Sequence, residues 1–165
     1  MSKTLVAYFS ASGITKAVAK DLSEVLKSDL YEIKPEIPYE NADLNWMDKS
    51  SRTSVEMNDK TSRPAIIKDD LKLDKYDTIF LGFPIWWYVA PTIINTFLES
   101  YNFSNKKIVL FATSGGSGFG GTIEYLKRSV SASTEIIEGK ILNYSPSKKE
   151  IKDWLDSLDL LTTHK

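Results

Sequence analysis

Short apolar runs alternate along this chain with segments of helical period, and that alternation leaves few folds open to it. Residues 5–9 (Leu5, Val6, Ala7, Tyr8, Phe9) are apolar without a break, as expected of a strand covered on both faces. Ile14, Ala17, Val18, Leu22, Val25 and Leu26 then fall on one helical face. Residues 30–33 read as a second strand that stops near Pro35, and residues 78–83 as a third, the clearest buried one. A helix follows from Pro91, with Ile94, Phe97 and Leu98 turned inward. Residues 107–112 form a fourth strand, Ile123, Leu126 and Val130 mark a helix, and a weaker strand falls within residues 134–142. Ser147 and Glu150 make a capping box that opens a last helix carrying Ile151, Trp154, Leu155 and Leu158. Strand and helix in regular alternation imply a mostly parallel sheet with helices on both faces.

Residues 36–77 interrupt the pattern. The stretch is polar and rich in Asn, Asp, Ser and Lys, and is expected to hold a helix over 44–55 followed by an irregular path to Pro64. A loop that long in a compact domain implies a task. Neither a repeat nor a composition break divides the sequence, so residues 1–165 read as a single domain.

Composition removes several chemistries. The chain has no Cys, which excludes disulfides, thiolate nucleophiles and Cys-ligated metal clusters. The single His, His164, stands next to the last residue, so neither a Ser-His-Asp triad nor a multi-imidazole metal site is expected. Lys and Arg (21) nearly balance Asp and Glu (22), with no basic footprint for nucleic acid or an anionic membrane. The N-terminal apolar run is too short for a signal peptide and no run approaches membrane-spanning length, which makes the cytoplasm the expected location.

Chemistry must therefore be borrowed from a cofactor or rest on carboxylates, hydroxyls, Lys or Arg, and three loops at the carboxyl ends of the strands are unusual enough in composition to hold a ligand. The first, Ser10-Ala11-Ser12-Gly13-Ile14-Thr15, combines hydroxyls, a glycine and a helix N-terminus, the ingredients of an anion site. An ordinary cap needs one hydroxyl, whereas this loop has three. The Gly-Lys-Ser/Thr ending of a nucleoside-triphosphate loop is absent, which suits a monophosphate better. The second loop, Pro84-Ile85-Trp86-Trp87-Tyr88, sets two indoles side by side; an extended segment cannot turn both into one core, so one is expected to face solvent or a flat ligand. The third spans residues 113–121 (Thr113, Ser114, Gly115, Gly116, Ser117, Gly118, Phe119, Gly120, Gly121), and its glycines let backbone N–H groups approach a ligand closely.

These residues resemble the flavodoxin family, in particular a bacterial flavodoxin-like branch with Pro-Ile-Trp-Trp after the third strand. Tyr8, Ser10, Gly13, Thr15, Ala19 and Leu22 follow the family's phosphate-loop signature, from which Ala7 departs. Residues 113–117 match that branch's second flavin loop, and Arg63-Pro64-Ala65-Ile66 looks like another of its motifs. The resemblance implies a three-layer, doubly wound, five-stranded parallel sheet of order 2-1-3-4-5 with flavin mononucleotide (FMN) at the switch point. The phosphate would lie on Ser10, Ser12, Gly13, Ile14 and Thr15. The isoalloxazine would lie between Pro84, Ile85, Trp86 and Trp87 on one side and Thr113, Ser114, Gly115, Gly116, Ser117, Phe119 and Gly120 on the other.

Two departures shape the functional expectation. Electron-carrier flavodoxins are usually strongly acidic around the flavin, whereas this chain has a pI near 5.9 and uncharged flavin loops. They also often keep a glycine in the second loop, and Pro84, Ile85, Trp86 and Trp87 include none. The expectation is an FMN-dependent oxidoreductase that takes hydride from a nicotinamide and passes electrons to a quinone or other small acceptor, with the flavin carrying the chemistry. The alternative is an electron carrier served by a redox partner protein. A phosphate-receiver domain of similar topology needs paired acids after the first strand and Asp after the third; Ser10-Ala11 and Pro84 stand there instead. No residue reads as a dedicated acid or base. Arg52 and Glu56, one helical turn apart, are expected to be a solvent-exposed pair rather than a lid, and Asp43, Asp48 and Asp59 solvated surface. Trp46 and Met47 fit equally with covering the site or packing the core.

Overall fold

A computed structural model of the chain describes residues 3–10, 13–37, 39–40, 49–59, 62–67, 71–85, 89–113, 119–142 and 148–162. Five parallel strands, β1 (Lys3–Tyr8), β2 (Asp29–Glu32), β3 (Tyr76–Pro84), β4 (Lys107–Thr113) and β5 (Glu135–Ile141), form one sheet of order β2-β1-β3-β4-β5. The helices are α1 (Ile14–Leu26), α2 (Arg52–Asn58), α3 (Thr92–Ser100), α4 (Thr122–Lys127) and α5 (Lys148–Thr162), with a 3₁₀ turn at Leu73–Lys75. The apolar runs became the inner strands because both of their faces are covered, as Leu5, Val6 and Ala7 show at 1% exposure or less.

Successive residues of each strand feed two cores. Leu5, Ala7, Ile79, Leu81 and Phe83 pack with Ile93, Ile94 and Phe97 of α3 and Leu126 of α4. Val6, Tyr8, Phe80 and Phe111 pack on the other face with Val18 and Leu22 of α1 and Ile151 and Trp154 of α5. Each fully buried Leu, Ile or Phe contributes about 1.5–3 kcal/mol relative to exposure. Gly82 in mid-strand is required by close packing, since a Cβ there would stand 2.2 Å from the Phe111 ring. Burial and a hydrogen bond to the Asp29 carboxylate push the Tyr76 hydroxyl up to about 12, so it stays a neutral donor joining the starts of β2 and β3.

The connection from β2 to β3 is the part the sequence pattern placed least well. Its described helix is α2, which shares only residues 52–55 with the expected 44–55; residues 49–51 are turn and bend, and 44–48 lie outside the described residues. The helix starts where it does because the Ser51 hydroxyl accepts from the Ser54 N–H, satisfying a donor of the first turn. The connection is clasped at its base: Pro35 and Ile66 form an antiparallel bridge, Glu36 N–H donates to the Ala65 carbonyl (2.9 Å), and Ile67 N–H to that of Lys34 (2.8 Å). The Arg63-Pro64-Ala65-Ile66 motif is thus a brace between the ends of the long connection. Among the described residues, no helix is long and apolar enough to cross a membrane.

Candidate functional site

Strand order reverses between β1 and β3: the chain leaves β1 toward β2 and returns on its other side. There the carboxyl ends part to form a crevice. Register brings three ends together, with Tyr8 beside Gly82 and Pro84 beside Thr113. The Phe9 N–H donates to the Gly82 carbonyl (2.9 Å) and the Ile85 N–H to that of Thr113 (2.8 Å), so pairing continues one residue past each strand. The loops after β1, β3 and β4 consequently leave the same edge of the sheet.

Backbone angle decides the β1–α1 turn. Gly13 sits at φ 94°, in the left-handed region, and an added Cβ would meet nothing within 4 Å, so conformation rather than space calls for glycine. The Ser10 hydroxyl accepts from the Gly13 N–H (3.0 Å), and α1 begins immediately after. Its first turn contains no acidic residue, which leaves the positive end of the helix dipole uncompensated from within. Ile14 is exposed there, whereas Thr15 is buried and its hydroxyl lies 2.8 Å from that of Thr113. This contact ties the first loop to the third across 98 residues of sequence.

The remaining expected site residues divide in two. Ile85 and Phe119 are buried, and Phe119 meets the Phe83 ring edge-on at 6.4 Å, so their side chains anchor the loops in the core. Pro84 and Gly120 stand at the loop edges, with Gly120 at φ 54°. Ser12, Trp86, Trp87, Ser114, Gly115, Gly116 and Ser117 lie outside the described residues, as do Asp43, Trp46, Met47 and Asp48. At the end of β1, burial and the adjacent Glu32 carboxylate push the Tyr8 hydroxyl up to about 12, which leaves it protonated throughout the neutral range.

Arg52 and Glu56 are not the solvent-exposed pair expected of them. Their side chains are 21% and 14% exposed, and Arg52 Nε donates to Glu56 Oε2 at 2.9 Å. Tyr39 donates its hydroxyl to Glu56 Oε1 and lies under the Arg52 guanidinium, whose carbon is 3.8 Å from the ring centre. The same guanidinium donates to the Ile37 carbonyl (2.6 Å), and Tyr39 meets the Phe9 ring edge-on at 5.5 Å. The long connection is thereby pinned beside the first loop. Sequence reasoning missed Tyr39, an aromatic in a polar stretch. Among the described residues, no group of three or more Asp, Glu or His could hold a metal ion.

Comparison with known proteins agrees with this geometry. The chain aligns with a candidate flavoprotein from Bacteroides eggerthii whose structure has been solved, at 47% identity and a TM-score of 0.87, over 95% of this chain and 98% of that one. A flavoprotein from Lactobacillus acidophilus, solved in complex with FMN, shares the fold at 24% identity and a TM-score of 0.69, over 94% of this chain and 99% of that one. Among curated proteins, NAD(P)H dehydrogenase [quinone] 1 of Rattus norvegicus is 26% identical over 139 residues, 70% of this chain; the match spans about half (51%) of that relative's length. The sequence profile described as Flavodoxin matches residues 3–158, nearly the whole chain, and with the 2-1-3-4-5 sheet it makes this protein a member of the flavodoxin family.

Proposed function

We propose that this chain binds FMN where β1, β3 and β4 end, and works as an NAD(P)H-linked oxidoreductase passing electrons to a quinone or other small acceptor. The observation that carries the reading is the convergence of an uncompensated α1 N-terminus with the Ser10, Thr15 and Thr113 hydroxyls at the reversal of strand order. That donor set suits a phosphate monoester. Ser10, Ser12, Gly13, Ile14 and Thr15 would hold the phosphate, and the loops from Pro84 to Trp87 and from Thr113 to Gly120 would flank the ring. When bound, FMN supplies the hydride and electron chemistry that the side chains cannot. Ile85 and Phe119 are buried at the edges of the two ring-side loops, and Tyr39, tied to Arg52 and Glu56, packs against Phe9 beside the first. The likeness to the rat quinone dehydrogenase supports an oxidoreductase. The carrier reading, with a partner protein as electron source, is favoured by one feature: Ser10, Gly13, Ile14, Thr15, Pro84, Ile85, Thr113, Phe119 and Gly120 include no side chain able to serve as acid or base. Residues 1–165 act in this reading as one domain in the cytoplasm, without a nucleic-acid or membrane partner.

Fluorescence titration of the flavin-free protein tests the cofactor. Emission is quenched as FMN binds, and riboflavin binds far more weakly because it lacks the phosphate. Equal affinity for the two removes the phosphate loop from the reading, and saturation by neither removes the flavin. Steady NAD(P)H oxidation by the loaded protein with a quinone then separates the enzyme from the carrier, which stays inert without its partner.

A further inference from the structure

Beside the loop after β3, a pocket of 130 Å³ opens between α2, the start of α3 and α4. We propose that it binds a single six-membered ring bearing a primary carboxamide, the head of a nicotinamide. Such a ring is carried by the hydride donor proposed above, and to that extent the assignment rests on the oxidoreductase reading. None of the described residues expected to hold FMN lines this pocket.

Size sets the first limit, because a cavity on the order of 150 Å³ holds a single six-membered ring. Met57 of α2, with Val89 and Ala90 just past the loop after β3, gives the pocket apolar walls, and Tyr125 of α4 adds an aromatic one. Such walls suit a flat ring. Hydrogen-bonding direction sets the second limit, through Asn95 and Arg128.

The Asn95 amide is oriented by its partners. Its Nδ2 donates to the Tyr125 carbonyl (3.2 Å) and to the Ser129 hydroxyl (2.8 Å), and that hydroxyl gives its own hydrogen to Glu99 Oε2 (2.7 Å). A backbone carbonyl can only accept, so the nitrogen and oxygen of this amide cannot be exchanged. Both amide hydrogens are thereby committed. Asn95 is 6% exposed, and its Oδ1 has no hydrogen-bond partner among the described residues, yet that oxygen is not sealed off. A buried side chain of the pocket wall thus offers one open acceptor.

Arg128 supplies the opposite function. Its guanidinium carbon lies 5.5 Å from the centre of the Tyr125 ring, and among the described residues it has no carboxylate partner. Its N–H groups can only donate. An acceptor on Asn95 and donors on Arg128, both next to Tyr125, match the two halves of a primary carboxamide. The ligand N–H donates to Asn95 Oδ1, and the ligand carbonyl accepts from Arg128. A carboxylate has no N–H to give and would set an oxygen against Oδ1, whereas a ketone would leave Oδ1 unpaired.

Titration of the full-length protein with nicotinamide, followed in nitrogen-15 spectra of the flavin-free and FMN-loaded forms, tests the assignment. One equivalent should bind in both forms and shift the Asn95 side-chain amide, a readout that depends on no variant. The methyl ketone analogue, meta-acetylpyridine, keeps the ring and the carbonyl and replaces the amino group by methyl, so it should bind about fivefold more weakly or worse. Nicotinate, which lacks the N–H, and acetamide, which lacks the ring, should also bind more weakly. Arg128→Met, at an exposed position, should weaken nicotinamide by about fivefold or more. Equal affinity for nicotinamide and its methyl ketone, tighter binding of nicotinate, or absence of a saturable Asn95 shift overturns the proposal. So does unchanged affinity in a folded Arg128→Met, or displacement of nicotinamide by FMN, which would place the probe in the flavin's own site. FMN quenching followed on the same samples separates the two readings: quenching without the Asn95 shift removes this pocket alone, and the shift without quenching removes the flavin.

Discussion

The chain makes two very different connections around β1. From β1 to α1 it turns within five residues, 9–13, whereas from β2 to β3 it travels through residues 33–75. The short turn is shaped by backbone: one glycine at positive φ and one serine hydroxyl three residues earlier. The long connection is shaped by side chains that meet across sequence, with Arg52 on Tyr39, Glu56 under the Tyr39 hydroxyl, and Arg63 on Glu99 of α3. The described determinants of the short turn thus lie within three residues of one another, whereas those of the long connection are brought together from far apart in sequence.

The strongest way to break this contrast is Gly13→Val. A β-branched residue at φ 94° should cost about 2 kcal/mol of stability. FMN affinity should fall by at least about tenfold, read by urea denaturation and flavin quenching respectively. A variant that binds FMN normally would mean that the short turn does not cradle the phosphate. Arg52→Ala comes next. It removes the Ile37 carbonyl contact, the Glu56 pair and the stacking on Tyr39, for an expected loss of about 1–2 kcal/mol with FMN affinity little changed. A large drop in FMN affinity would show that the two connections are not separable. A double-mutant cycle on Tyr39→Phe and Glu56→Gln should return a coupling of about 1 kcal/mol, and a value near zero would mean that the pinning resides in Arg52 alone.

The smallest effect is a pH dependence. Arg63, by its hydrogen bond, and then Ser129 hold the Glu99 carboxyl below its usual 4.5. A depressed carboxyl contributes stability that is present above the unfolded value and lost as pH falls through the folded one, so the brace at Arg63 should weaken only below about pH 4.5. With the Glu99 side chain 40% exposed, solvent screening keeps that contribution small. Glu99→Gln should flatten this part of the acid-denaturation curve, and an unchanged curve would remove Glu99 from the brace.

What could be read in advance follows the same division. Strand and helix order were legible because burial on both faces writes itself as runs such as residues 107–112, and burial on one face as the Val18–Leu22 spacing, although Ile14 and Ala17 of the same expected stripe are exposed. The β1–α1 turn was legible because its determinants are adjacent in sequence. The position of α2 was not, since a polar stretch has no period to mark it, although Ser51 was a usable start signal. Arg52 and Glu56 looked like a surface pair because helical spacing shows which residues are neighbours and nothing about a ring arriving from Tyr39. The Thr15–Thr113 contact had no local signal, being a product of sheet register alone.

That contact carries a directional consequence. Two hydroxyls 2.8 Å apart share one hydrogen bond, and either oxygen can be the donor. Each owns a single hydrogen, so if an anion takes the one on Thr15, the contact persists only with Thr113 as its donor. Thr113 then has no hydrogen left to donate elsewhere, and its oxygen can serve any further partner only as an acceptor. Arrival of a phosphate would thereby set the polarity of the opposite wall of the crevice by reorienting one proton, with no heavy atom required to move.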